Sequence, residues 1–176
     1  MKPVNPLILL LILRLAAFTI VSAQQAATES NPAFKIKADQ IIVTKSQRTL
    51  VLMKEGKVLK SYTISLGGEP IGPKTRQGDH KTPEGHYVID SRNPNSQFHL
   101  ALHVSYPNAS DIANAKKQRV SPGGAIMIHG LPKGSGWVKT ASQVGDWTDG
   151  CIAVTNDEIE EIWRMVPDGT PIEIKP

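Results

Sequence analysis

A chain of 176 residues, 40% hydrophobic and 20% charged, has enough apolar material for one buried core and is near the size of a single domain. Two of its 20 basic residues, Lys2 and Arg14, lie in the first 23, which leaves 18 against 16 acidic ones scattered along the remainder. That balance excludes the clustered basic surface of a nucleic-acid binder and allows only weak attraction to an anionic polymer.

Residues 1–23 read as a secretory signal. Lys2 stands near the start, an apolar run extends from Leu7 to Leu13, and Val21-Ser22-Ala23 precede a cleavage point that makes Gln24 the first mature residue. Arg14 interrupts the apolar run, and arginine at mid-bilayer is costly, so no stable membrane span is expected; an uncleaved anchor is the alternative. No cysteine stands near the cleavage point to carry a lipid. Residues 24–33 are small and polar and suit a flexible lead-in, and one globular domain is expected over 34–176.

Three β-rich runs follow, Ile41 to Val43, Thr49 to Met53 and Val58 to Leu66, with Glu55-Gly56 a tight hairpin turn between the last two. "GGEPIGPKTRQGDHKTPEG", residues 67–85, is too punctuated for helix or central strand, and its length suits a functional loop. Strands are expected at His86 to Ile89 and His99 to Val104, a short helix at Asn108 to Lys117, and another apolar run at Ala125 to Ile128, ending in His129-Gly130. The clearest helix is Asn156 to Val166: Ile159, Ile162, Trp163 and Val166 share one face, and Thr155 with Glu158 forms a capping-box signature. On this face Trp163 reads as core. Pro167-Asp168-Gly169 stops the helix, and Pro171 to Ile174 makes a last strand. The class is mainly β with one or two short helices.

Cys151 is the only cysteine, so an internal disulfide is impossible. Free cysteines are usually buried small hydrophobes. This one follows the turn-forming run Asp146 to Gly150 and precedes Ile152-Ala153-Val154, which places the thiol at a loop-to-strand junction. There the N–H groups of Gly150 and Cys151 can stabilise an oxyanion, and Gly150 lets a substrate approach the backbone. A nucleophilic thiol needs a basic neighbour. Of the five histidines, His129 stands out, because it ends an apolar run and a glycine follows; on its own it would read as structural. His103, in a strand pattern, suits packing or a substrate contact, and His80, in the Gly/Pro loop, reads as a solvated residue.

"MIHG" followed by "WTDGCIAV" resembles the signature of the L,D-transpeptidase catalytic domain (YkuD type), and "GDHKTPEGHYVI" and "LVLMKEGKVLKSYTISLGG" are similar to its upstream loop and opening strands. The resemblance covers nearly all of 39–174. It implies a β-sandwich or barrel domain with Cys151 as nucleophile, His129 as base or ion-pair partner, and the N–H groups around Gly150 and Cys151 as oxyanion hole. It implies no cofactor. The implied substrate is a peptidoglycan stem: the thiolate attacks the carbonyl of the diamino acid at position three, expels the terminal D-alanine and holds an acyl-enzyme. An amine of a second stem or of a wall-anchored protein then takes the acyl group, or water does, which makes the enzyme a carboxypeptidase or another hydrolase such as an amidase. The implied location is the periplasm or cell wall.

Two departures stand out. The pattern usually has histidine before Gly-Cys, where this chain has Asp149, and often arginine two residues after Cys, where it has Ala153. Asp149 either orients His129 as a third triad member or stabilises its own turn. Arg76, Lys74 or Lys133 could replace the arginine as partner of a substrate carboxylate. Thr148 and His103 are further candidate substrate contacts, and Trp137 and Trp147, in a segment with Gly134, Gly136 and Gly145, are candidates for a wall or lid as well as for packing. A thiol of lowered pKa would also be open to oxidation. Two other classes compete. His103, His129, Asp149 and Cys151 are metal-ligand types, but no H-x-x-x-H or C-x-x-C spacing appears; and a wall-binding module without catalysis would need neither Cys151 nor His129.

Overall fold

The structure, a computed structural model, describes residues 36–176 apart from 133, 135–137 and 139. The signal segment and lead-in, with Lys133, Gly136 and Trp137, lie outside the described residues. The compact unit runs from Lys37 to Pro176.

Strand β1 (Gln40–Thr44) and strand β2 (Thr49–Lys54) alternate buried and half-exposed residues, with Ile41, Val43, Leu50 and Leu52 inside. This is the period of two that one covered face demands. Glu55 and Gly56 both have positive φ, 52° and 74°, as the tight turn requires, and lead into β3 (Lys57–Thr63). The remaining strands are β4 (Gly85–Ser96), β5 (His99–Val104), β6 (Met127–His129), β7 (Ile152–Ala153) and β8 (Pro171–Lys175). They form one sheet in the order β3-β2-β1-β8-β4-β5-β6-β7. The mainly β class holds.

β4 runs well past the expected His86 to Ile89. Its first residues pair with β8 and its later ones with β5, through register shifts at Ile89/Ser91 and Asn93/Ser96. The polar run Asp90 to Ser96 carries turn chemistry, yet bulges keep it in the ladder. The two ends of the sheet also meet: Ser65, just beyond β3, exchanges two 2.9 Å backbone hydrogen bonds with Ala153 of β7, and Gly67 bridges Thr148.

Helix α1 (Ala109–Lys117) is capped by Asn108 with Asp111, and α2 (Asn156–Met165) by Thr155 with Glu158. α2 packs on β5 and buries Ile159, Ile162 and Met165. Trp163 is not core as expected. It is half-buried beneath the Arg92 guanidinium, 4.9 Å from the ring centroid, and Arg92 also donates to the Trp163 and Val166 carbonyls at the helix end.

The 67–85 loop is fastened from below. Lys45, 2% exposed, donates to the Gly72 carbonyl at 2.6 Å, the Thr82 carbonyl at 3.0 Å and Glu84 at 2.7 Å. Burial lowers its pKa, while Glu84 opposes that shift.

Candidate active site

Residues 145–151 are held against the end of β3. The Asp146 carboxylate accepts from Arg48 Nε and Nη2 at 2.9 and 2.7 Å, and its other oxygen takes the Leu66 N–H at 2.9 Å. Trp147 and Thr148 both donate their N–H groups to the Leu66 carbonyl at 3.1 Å. Thr148 is buried; its hydroxyl donates to the Cys151 carbonyl at 2.7 Å and accepts the Gly150 N–H at 3.1 Å. The Gly150 N–H is therefore engaged inside the turn, and the Thr148 hydroxyl shapes the turn instead of facing a substrate. Only glycine fits at 150: φ is 123°, and a Cβ would stand 2.5 Å from the Lys81 carbonyl oxygen.

The thiol of Cys151 donates to the Ala125 carbonyl, with Sγ 3.6 Å from the oxygen. Ala125 itself has φ 54°, a conformation that costs a non-glycine residue energy and that clusters at functional sites. His129 comes from β6, which pairs in parallel with β7 in the register Ile128 to Ile152 and His129 to Ala153. Cys151, two residues before Ala153, thus shares a sheet face with His129 as its diagonal neighbour. The strand β5 register, Ala101 to His129 and His103 to Met127, puts His103 on that face too.

His129 is 4% exposed, and its Nδ1 lies 2.6 Å from the Gly130 carbonyl oxygen. A carbonyl only accepts, so Nδ1 carries the hydrogen and Nε2 keeps the lone pair. Phe98 lies against the ring with centroids 4.6 Å apart, and Trp147 meets it edge-on at 5.8 Å. The Trp147 Nε1–H is buried without a hydrogen-bond partner among the described residues.

The resting charges differ from a ready-made ion pair. Burial pushes the Cys151 thiol up; a backbone hydrogen bond with Met127 opposes this, Asp149 adds to it, and Lys74 opposes it. Burial pushes the His129 imidazole down, against the effect of its bond to Gly130. Desolvation works against the charged form of both groups, so the surroundings of Cys151 oppose the lowered thiol pKa that reactivity would call for.

Asp149 does not orient His129. Its carboxylate lies 2.7 Å from His80 Nδ1, across from the 67–85 loop, and its side chain is 91% exposed. His103 is turned to Asp90, 2.6 Å away. Lys74, buried, donates to Asp79 at 2.8 Å and to the Arg76 carbonyl at 3.1 Å, whereas Arg76 is exposed. Burial would raise the Asp79 pKa, but Lys74 and the N–H groups of Thr75, Arg76 and Lys81 hold it at about 2. Among the described residues no group of three or more His, Cys, Asp and Glu side chains is placed to hold a metal ion. Arg48, Asp146 and Phe98 escaped the sequence reading. Each supports its neighbours from another part of the chain, and no local spacing marks that.

Known proteins resemble this chain in sequence and fold. The sequence model of the L,D-transpeptidase catalytic domain (YkuD) family matches residues 38–174. The Escherichia coli (strain K12) protein named "Putative L,D-transpeptidase YafK" is 35% identical over 133 residues, which are 72% of this chain and 46% of that protein. Among solved structures, the helical cell shape determining protein Pgp2 of Campylobacter jejuni matches with a TM-score of 0.59 at 26% identity, over 80% of this chain and 49% of Pgp2. Bd1075 of Bdellovibrio bacteriovorus matches with a TM-score of 0.53 at 28% identity, over 80% of this chain and 48% of its own. The chain thus spans about half the length of these relatives. With the family model covering the sheet, the His129 strand and the Cys151 turn together, this chain belongs to the L,D-transpeptidase catalytic domain (YkuD) family.

Proposed function

We propose that the chain is an exported cysteine acyltransferase that acts on peptidoglycan stem peptides in the periplasm or cell wall. The observation that carries this reading is the β6–β7 register, by which Cys151 and His129 share a sheet face, with Trp147 packed edge-on against His129. As Sγ attacks the carbonyl of the third stem residue, its proton passes to His129 Nε2 and the C–S bond forms. The C–N bond to the terminal D-alanine then breaks, and the leaving amine takes the proton from His129. Burial pushes the thiol up and the imidazole down, which favours His129 as a general base over a standing ion pair. We assign the oxyanion to the Cys151 N–H, since Thr148 occupies that of Gly150.

Half-buried Trp147 is the candidate wall, and exposed Arg76 is the candidate for the stem carboxylate, because Lys74 is engaged with Asp79. An amine of a second stem or of a wall-anchored protein, or water, receives the acyl group. The test is intact mass spectrometry of the protein mixed with a tetrapeptide-stem muropeptide, beside Cys151→Ala. An adduct of the stem without its terminal alanine, absent in the variant, is the expected result. Turnover with no dependence on Cys151 would overturn the reading.

A further inference from the structure

His80 faces the nucleophile turn from the 67–85 loop. Its Nδ1 lies 2.7 Å from the Asp149 carboxylate, and Asp149 directly precedes Gly150 and Cys151. A carboxylate accepts, so Nδ1 carries the hydrogen, which in the neutral imidazole leaves the lone pair on Nε2. An aspartate orients the histidine of a catalytic triad in the same way.

The position of this imidazole is set by its surroundings. His80 has φ 51°, which the structure must enforce. Its carbonyl accepts from the Glu69 N–H at 3.0 Å, and a Cβ on Gly67 would lie 2.1 Å from that oxygen. On one side Asp79 binds Lys74 and the N–H groups of Thr75, Arg76 and Lys81; on the other the Lys81 carbonyl abuts Gly150. The His80 side chain is 54% exposed, whereas His129 is buried and bound to a backbone carbonyl.

Acyl transfer through a thioester poses two proton tasks, one at the thiol and one at an acceptor that arrives from solvent. The two histidines divide along the same line. We propose that His80, oriented by Asp149, is the general base of the second half-reaction. Its Nε2 takes a proton from the acceptor amine or water as the acceptor's N or O bonds to the thioester carbon. The C–S bond breaks, Cys151 leaves as thiolate, and a proton returns from the imidazolium through solvent. This inference rests on the acyl-enzyme reading above.

The test uses the full chain with a tetrapeptide-stem muropeptide, rapid quench and intact mass. Two variants are compared with the wild type: His80→Asn, since asparagine tolerates positive φ, and Asp149→Asn, whose site is on the surface. Acyl-enzyme should form within about twofold of the wild-type rate, while its decay slows about 100-fold, so the adduct accumulates. Unchanged decay, or formation and decay slowed together as loss of a structural pin would cause, overturns the role of His80. If the wild type forms no Cys151 adduct, the acyl-enzyme reading fails and this role fails with it.

Discussion

The two ends of the sheet follow different rules. Around β1, β2 and β8 the strands are five or six residues long, and each alternates buried positions with half-buried or exposed ones. At the other end β6 and β7 have three and two residues, and His80, Ala125 and Gly150 nearby have φ of 51°, 54° and 123°. The first region removes apolar area from water and keeps its polar groups in a ladder. The second places a thiol and an imidazole where neither holds its charge easily. The candidate reactive groups therefore lie at one end only, although Ile128 and Ile152 there are buried too, and a substitution at the other end should disturb stability far more than rate.

Cys151→Ala breaks the comparison at the reactive end: turnover of a stem peptide should fall by about 10⁴ or more, with the melting midpoint little changed. Wild-type turnover would deny the thiol a role. Gly150→Ala comes next, at about 10² in rate, because the new Cβ must displace the Lys81 carbonyl and shift the turn. Leu52→Ala tests the other end. It should cost about 2–5 kcal/mol in denaturant unfolding and leave the rate per folded molecule within about twofold. A rate loss as large as that of Gly150→Ala would erase the division. Asp146→Asn lies between the regions and should lower both, by about 1 kcal/mol and about tenfold in rate, by weakening the Arg48 pair.

The smallest effect concerns pH. With the thiol raised, iodoacetamide should alkylate Cys151 more slowly at neutral pH than it does an unfolded thiol, and the rate should still rise above pH about 8.5. Linkage gives both signs. The raised thiol contributes stability below its unfolded pKa and loses it as pH rises through the folded value. The lowered imidazole contributes stability above about pH 6.5 and loses it as pH falls through the folded value. An unfolding midpoint that varies less with pH around 6.5 and above about 8.5 in a Cys151→Ala, His129→Gln double variant than in the wild type is the expected signature.

Much of the regular end is legible in the sequence. Alternation marks β1 and β2, Glu55-Gly56 marks the turn, and Thr155 with Glu158 marks the start of α2. The reactive end is legible as residue types and motif order but not as contacts. Asp149 had two readings, to orient His129 or to stabilise its turn, and its partner is His80, which had read as a solvated loop residue. No spacing reports that the 67–85 loop folds back onto Gly150. The upward push on the thiol pKa is likewise hidden, since it depends on burial, a property of the assembled sheet. Trp163 misled for a simpler reason: an apolar helix face is wider than the stripe it buries, and Arg92 covers its margin.

The paired hydrogen bonds between Ser65 and Ala153 join residues far apart in the chain. Contacts of that separation are slow to form, because the entropy of closing a long loop comes before any reward. During folding, then, the cysteine is an ordinary accessible thiol until the last strands meet. In any oxidising medium, folding becomes a race between closure of the sheet and capture of sulfur by an oxidant. In the folded protein desolvation takes over the protection, and the chain guards its one thiol with the join that completes its fold.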